Sequence, residues 1–205
     1  MSRIRSASAT PRRTTDSGAA GLAVFAVILA CLAYLSTGSA STSISDLVHG
    51  RDGTIAEADG GLPDGATVFD DRHPGVANLN PRLIEALRAA TTEAASHGVA
   101  VHVTSGWRSP EYQERLLREA IMKYGSERAA ARWVAPVDRS AHVSGNAVDL
   151  ETSDSGTWLS EHGAGYGLCR IYRNEVWHYE LRPEAPGQGC PAMYADAAED
   201  PRMQN

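Results

Sequence analysis

Residues 140–149 read Ser-Ala-His-Val-Ser-Gly-Asn-Ala-Val-Asp, and residues 175–178 read Glu-Val-Trp-His. The first stretch sets an imidazole, His142, on a glycine-containing turn and a carboxylate, Asp149, at the head of a β-type run. The second sets another imidazole, His178, on a strand, with Glu175 three residues before it. A catalytic zinc site commonly takes three protein ligands of the His/Asp/Glu kind and leaves a fourth position for water. His142, Asp149 and His178 satisfy that count. Glu175 is then free to act on the water as a general base. Alone, a loop histidine or a half-buried strand histidine is more often structural; the pattern of all four residues is what points to a metal.

Working outward, Asn80-Pro81 has the form of a helix cap followed by proline at the first helical position, and Leu83, Ile84, Leu87 and Ala90 recur at helical spacing up to Gly98. Val99 to Val103 reads as a strand, with Thr104-Ser105-Gly106 as a turn. Ser109 caps a second helix that Pro110 opens and that reaches Tyr124, and Ser126 to Trp133 forms a further helical piece that Pro136 stops. The last third changes to short β-type runs at 147–151, 168–172 and 176–181. Ser153 to Gly167 reads as a long loop. Helices first and strands later predict an α+β domain, a small antiparallel sheet with helices packed against it.

The first residues of the chain follow different rules. Residues 1–17 are polar and carry Arg3, Arg5, Arg12 and Arg13, and Gly18 to Leu35 runs without a charge. That length can cross a bilayer, and the arginines before it predict a cytoplasmic N-terminus with the rest of the chain outside. The expected organisation is a cytoplasmic tail at 1–17, a membrane anchor or signal segment at 18–36, a Ser/Thr/Gly-rich linker at 37–66, a catalytic domain at 67–195 and a C-terminal tail at 196–205. Gly38-Ser39-Ala40 offers small residues to a signal peptidase, so a secreted form is the alternative to a retained single-pass anchor. Arg12-Arg13 as a twin-arginine signal and Cys31 as a lipidation site both fit the local sequence poorly.

An outward-facing domain holds Cys169 and Cys190, an even number in an oxidising compartment, and predicts one disulfide. On the chain-entropy model it stabilises the fold by roughly 3 kcal/mol. The net charge of −6 and pI of about 5.6 give no basic stripe, which excludes nucleic acid as a partner. A monomer is expected.

His142-x-x-Gly145-x-Ala147-x-Asp149 with Glu175-x-x-His178, preceded by Ser105-Gly106-Trp107-Arg108-Ser109, resembles the VanY-type D-alanyl-D-alanine carboxypeptidases among the LAS metallopeptidases. The resemblance spans roughly Leu79 to Pro191. It implies zinc held by His142, Asp149 and His178, with Glu175 as catalytic base and Arg108 meeting the substrate or the oxyanion. Gln113 and Ser140 are implied to line the substrate pocket, with Trp177 beside them. It also implies a LAS/hedgehog-like fold with the metal on the open face of the sheet, and hydrolysis of the terminal D-Ala-D-Ala bond of peptidoglycan stem peptides. An endopeptidase cutting an L-alanyl-D-glutamate bond shares the ligand set, and a non-catalytic, zinc-braced wall-binding module is the rival from another class. His102 has no such partner pattern and reads as structural or substrate-lining. Trp107, Trp133, Trp158 and Trp177 read as core or pocket wall.

Overall fold

The computed structural model describes residues 57–204. The expected cytoplasmic tail, the anchor at 18–36, Cys31 and the linker up to residue 56 lie outside the described residues. Among those described, no helix is long and apolar enough to cross a membrane.

Ten regular elements and several single 3₁₀ turns follow in order: α1 (Pro74–Ala77), α2 (Pro81–Ser96), β1 (Val103–Ser105), α3 (Pro110–Tyr124), α4 (Glu127–Ala130), β2 (Ala147–Leu150), α5 (Asp154–His162), β3 (Leu168–Arg170), β4 (His178–Leu181) and α6 (Ala185–Gln188). The two long helices start where the sequence says. Asn80 accepts from the amide of Arg82 and Ser109 accepts from that of Tyr112, each with proline at the head of the helix. Gly125, in the left-handed conformation, ends α3.

The strands form one antiparallel sheet in the order β1-β2-β4-β3. Successive side chains of a strand face opposite sides, and here the two sides have different duties. Val148 and Leu150 of β2, Tyr179 of β4 and Leu168 of β3 join Leu83, Leu87, Ala90 and Ala94 of α2 in the main core. The alternating positions Asp149, His178 and Glu180, buried and polar, lie on the opposite face. α3 and α4 pack together around Tyr112, Leu116, Ala120, Ala130 and Val134.

Several boundaries differ from the sequence reading. β1 runs over 103–105 instead of 99–103, because its ladder partner on β2 begins at Leu150, which faces Val103. A register irregularity between Val103 and Ser105 then sets Ser105 opposite Asp149. β4 begins at His178, since Glu175–His178 is a turn closed by the His178 amide donating to the Glu175 carbonyl at 3.1 Å. The stretch 153–167 holds α5, whose Trp158 and Leu159 enter the core. Its Ser, Asp and Gly content concealed a helix that tertiary packing stabilises.

The ordered fold also extends past both ends expected for the domain. The 3₁₀ turn Glu57–Asp59 lies within the expected linker, yet Asp59 accepts from the Ser109 hydroxyl at 2.8 Å and Ala66 is buried. At the other end Asp196, Ala197 and Asp200 are buried, so residues 196–204 are part of the fold and not a tail. Composition marked both segments as polar; contacts with distant residues are what order them. Cys169 and Cys190 form the expected disulfide, with Cα atoms 5.5 Å apart, and tie β3 to the chain leading into this last segment.

Leu87 is 1% exposed at the junction of α2 and the sheet. Leu87→Ala should lower unfolding free energy by about 2–5 kcal/mol in a reversible urea titration. A smaller loss would place the main core elsewhere.

Candidate metal centre and cleft

The site is assembled by three local devices. The first is the β2–β4 ladder, in which Asp149 is the register partner of His178. The second is the turn at 141–145, closed by Ser144 and Gly145 amides donating to the carbonyls of Ser140 and His142. Gly145 sits at φ +71°, and a Cβ there would lie 2.5 Å from the Asn78 carbonyl oxygen, so both conformation and space require glycine. The third is the Ser105–Ser109 segment, whose Gly106 carbonyl receives the His142 ring nitrogen Nδ1 at 2.8 Å. A Cβ on Gly106 would collide with the backbone of Gly75.

These devices bring three ligand atoms together. His142 Nε2 and His178 Nδ1 are 3.2 Å apart, and each lies 3.3 Å from Asp149 Oδ1. All three residues are buried. Metal–ligand bonds of about 2.0–2.1 Å in a tetrahedron imply ligand separations of roughly 3.3 Å, so the triangle has the size such an ion requires. The opposite ring nitrogens are already engaged: His142 Nδ1 with the Gly106 carbonyl, and His178 Nε2 with Glu180 Oε1 at 3.2 Å. With those outer nitrogens carrying the ring protons, loss of any proton from the inner nitrogens leaves three lone pairs facing one point, an arrangement that a cation satisfies. His142, Asp149 and His178 thus form a site able to hold a metal ion.

The electrostatics agree. Burial, then the Arg108 guanidinium, lowers the His142 pKa and keeps that ring neutral. Burial works to raise the Asp149 pKa, but its contacts with His142 and His178 and the Arg108 guanidinium hold it well below the usual carboxylate range. Burial also opposes charge on His178, yet its hydrogen bonds to Asp149 and Glu180 outweigh that and raise it to about 10 in the metal-free protein. A proton on His178 therefore competes with a metal for the same place.

Glu175 is not a fourth ligand. Its carboxyl is buried, and its Oε1 has no hydrogen-bond partner among the described residues. Burial pushes its pKa up to about 7, against the pull of His178. A carboxyl of that kind beside a metal-ligand triangle is suited to exchanging protons near neutral pH.

A small cleft, with a volume of ≈ 50 Å³, opens onto this centre. Arg108, Gln113, Ser140, Glu175 and Trp177, all singled out in the sequence, line it. The structure gives three of them further duties. Arg108 donates from Nη2 to Asp149 Oδ2 at 2.6 Å, from Nε to Ser105 Oγ at 2.9 Å and from Nη1 to Gln113 Oε1 at 3.3 Å. It neutralises the ligand carboxylate from behind while keeping one N–H on each terminal nitrogen. Gln113, 1% exposed, fixes Arg108 and donates to the Ala135 carbonyl at 2.8 Å. Ser140 Oγ accepts from the Val143 amide at 3.3 Å, bracing the turn that carries His142.

Tyr172, Ala197 and Met203 also line the cleft. They escaped the sequence reading because they carry no motif of their own, and Ala197 and Met203 fall in the expected C-terminal tail, where only contact reveals them. His102 stands apart at the sheet edge, paired through Nδ1 with Glu151 at 2.8 Å. Trp133 and Trp177 line the cleft, while Trp158 and Trp107 pack in and against the core. A larger groove of ≈ 640 Å³ beside the disulfide contains none of the metal-ligand triad.

With this geometry in place, comparison with known proteins is direct. The family model VanY, D-alanyl-D-alanine carboxypeptidase, matches residues 76–183. A D-alanyl-D-alanine carboxypeptidase of Enterococcus faecalis is 31% identical over 111 residues, which make up 42% of this chain and 41% of that one. The chain thus spans less than half the length of that curated relative. Among solved structures, a variant of the vancomycin-resistance D,D-pentapeptidase VanY from a VanB-type cassette, in complex with Zn(II), is 27% identical with a TM-score of 0.47, covering 50% of this chain and 72% of that one. The LdcB LD-carboxypeptidase is 22% identical with a TM-score of 0.49, covering 60% and 68%.

Because a proton must leave His178 before a metal enters, zinc affinity should rise as pH rises from 6 to 8, by about tenfold per unit for each proton released. Chelator competition at fixed ionic strength reads this directly. An affinity independent of pH would mean that His178 does not bind through the protonated nitrogen.

Proposed function

This chain belongs to the VanY D-alanyl-D-alanine carboxypeptidase family, and on that premise we propose that it is a zinc peptidase that removes the terminal D-alanine from peptidoglycan stem peptides ending in D-Ala-D-Ala. The observation that carries this reading is the triangle of His142, Asp149 and His178 with the unpartnered Glu175 carboxyl buried in the same cleft. A metal used only to brace a fold tends to have its fourth position closed by another protein ligand. Here the fourth residue is an acid whose carboxyl Oε1 has no hydrogen-bond partner among the described residues and is free to act on a water.

Bound at the triad, zinc supplies a Lewis acid that makes water more acidic and polarises a carbonyl. Glu175 takes the proton of the water that attacks the scissile carbonyl carbon. It passes that proton to the nitrogen of the departing D-alanine as the C–N bond breaks. Arg108, fixed by Ser105, Gln113 and Asp149, offers its remaining N–H groups to the oxyanion or to the substrate's terminal carboxylate.

The same proposal places the enzyme outside the membrane, held near the wall by the segment at 18–36. The Arg-rich tail before that segment and the disulfide of Cys169 with Cys190 support this placement.

The test is D-alanine release by the full-length protein from a pentapeptide ending in D-Ala-D-Ala, with zinc, after chelation and after zinc is restored. Chelator-sensitive release that zinc restores is expected. Stoichiometric zinc without release would overturn the carboxypeptidase, and cleavage of an internal wall bond instead would identify an endopeptidase. Glu175→Gln should cost about 10²–10⁴ in kcat with zinc still bound. In the parent enzyme kcat/KM should fall as pH falls through the Glu175 pKa, because only the ionised carboxylate accepts the proton.

A further inference from the structure

Glu180 lies on β4 two residues after His178, on the same face of the sheet, and no step above uses it. It is 1% exposed. Its Oε1 accepts from His178 Nε2 at 3.2 Å and from Arg202 Nη2 at 3.1 Å. Its Oε2 accepts from Arg202 Nη1 at 2.7 Å and from Arg182 Nη2 at 2.9 Å. Arg202 is held in turn by Asp200, which takes its Nε at 2.9 Å on Oδ2 and the Tyr172 hydroxyl at 2.9 Å on the same oxygen. Asp200 is fully buried.

An isolated buried carboxylate is costly, and one partnered by arginine in a forked geometry is not. With two arginines donating to its oxygens, Glu180 is the acceptor for the Nε2–H of His178, which leaves Nδ1, the nitrogen facing Asp149 and His142, as the ring's metal-binding atom. The Arg202 fork touches both oxygens and therefore fixes the plane of the carboxylate, and with it the plane of the ring.

We propose that Glu180, Arg202 and Asp200 are a positioning relay through which the C-terminal segment 196–203 holds His178 in its metal-binding tautomer and orientation. The relay rests on the reading of His178 as a metal ligand. None of its members touches reacting atoms. The bond from Arg132 Nε to Asp196 Oδ2 at 2.6 Å pins the same segment without touching Glu180, and so provides an internal control.

The test compares full-length wild type with Glu180→Gln, Arg202→Gln, Arg202→Lys and Arg132→Ala. Zinc Kd is read by chelator competition, the Tm of the metal-free proteins by thermal denaturation, and ligand geometry by the visible spectrum of the Co(II)-substituted proteins. Loss of such an outer carboxylate weakens metal binding by about 10–100-fold, and this is expected for Glu180→Gln and Arg202→Gln together with an altered Co(II) spectrum. Arg202→Lys, which keeps charge but not the fork, should fall between wild type and Arg202→Gln. Arg132→Ala should leave Kd and spectrum unchanged even where it lowers Tm. Arg202 is half-exposed, so its variants read the relay even if Glu180→Gln does not fold. Wild-type zinc binding with unchanged Kd in the Arg202 variants would overturn the relay alone, as would weakening that follows Tm equally in Arg132→Ala. Absence of zinc binding by wild type would overturn the metal site and the relay with it.

Discussion

The structure depends on one cross-strand pair. Asp149 on β2 and His178 on β4 are register partners in the central ladder of the sheet, so backbone hydrogen bonding fixes the distance between a ligand oxygen and a ligand nitrogen. A slip of one residue would turn both side chains into the apolar core and bring Val148 and Tyr179 out. The hydrophobic face of the sheet, packed on α2, forbids that slip. Core packing and site geometry are thus two faces of the same register, and the stability of the one maintains the precision of the other.

His142 reaches the pair from a turn, and turns are less stiff than strands. The fold compensates by anchoring it repeatedly. The Gly106 carbonyl holds its ring, the Arg108 amide donates to its carbonyl at 3.3 Å, and the Gly145 carbonyl receives the Asn80 amide at 2.8 Å. The last of these links the turn to the start of α2. Two glycines carry this arrangement because at both positions another chain segment occupies the space a side chain would need.

Charge is the other constraint. Asp149 and Glu180 are buried carboxylates within one hydrogen bond of His178, and each has its own arginine: Arg108 for Asp149, and Arg202, with Arg182, for Glu180. Buried ions persist only where partners replace water. No hydrogen bond reaches Glu175 Oε1 among the described residues, and burial raises its pKa. Burial disfavours charge on all three carboxyls; the histidine and arginine partners overcome it for Asp149 and Glu180, and Glu175 is left poised to exchange a proton. The difference lies in which of them an arginine reaches.

The amino-acid pattern alone pointed to the His142, Asp149 and His178 triad with Glu175 near it, and to the α+β class, the disulfide and the caps of α2 and α3. Those signals are local or carried by short spacings: an N-cap acts within one turn, and a histidine and aspartate flanking a glycine turn show their relation in a few residues. Contacts in the folded chain determine where β1 and β4 begin, that α5 lies within the expected loop, and that residues 57–66 and 196–204 belong to the domain. They alone join Arg108 to Asp149 and Arg202 to Glu180. A strand ends where its ladder partner ends, a Ser/Gly-rich helix forms where a core receives its Trp, and an ion pair spans whatever separation the fold closes. Each is set by a contact between residues far apart in the chain, and local sequence patterns do not encode such contacts.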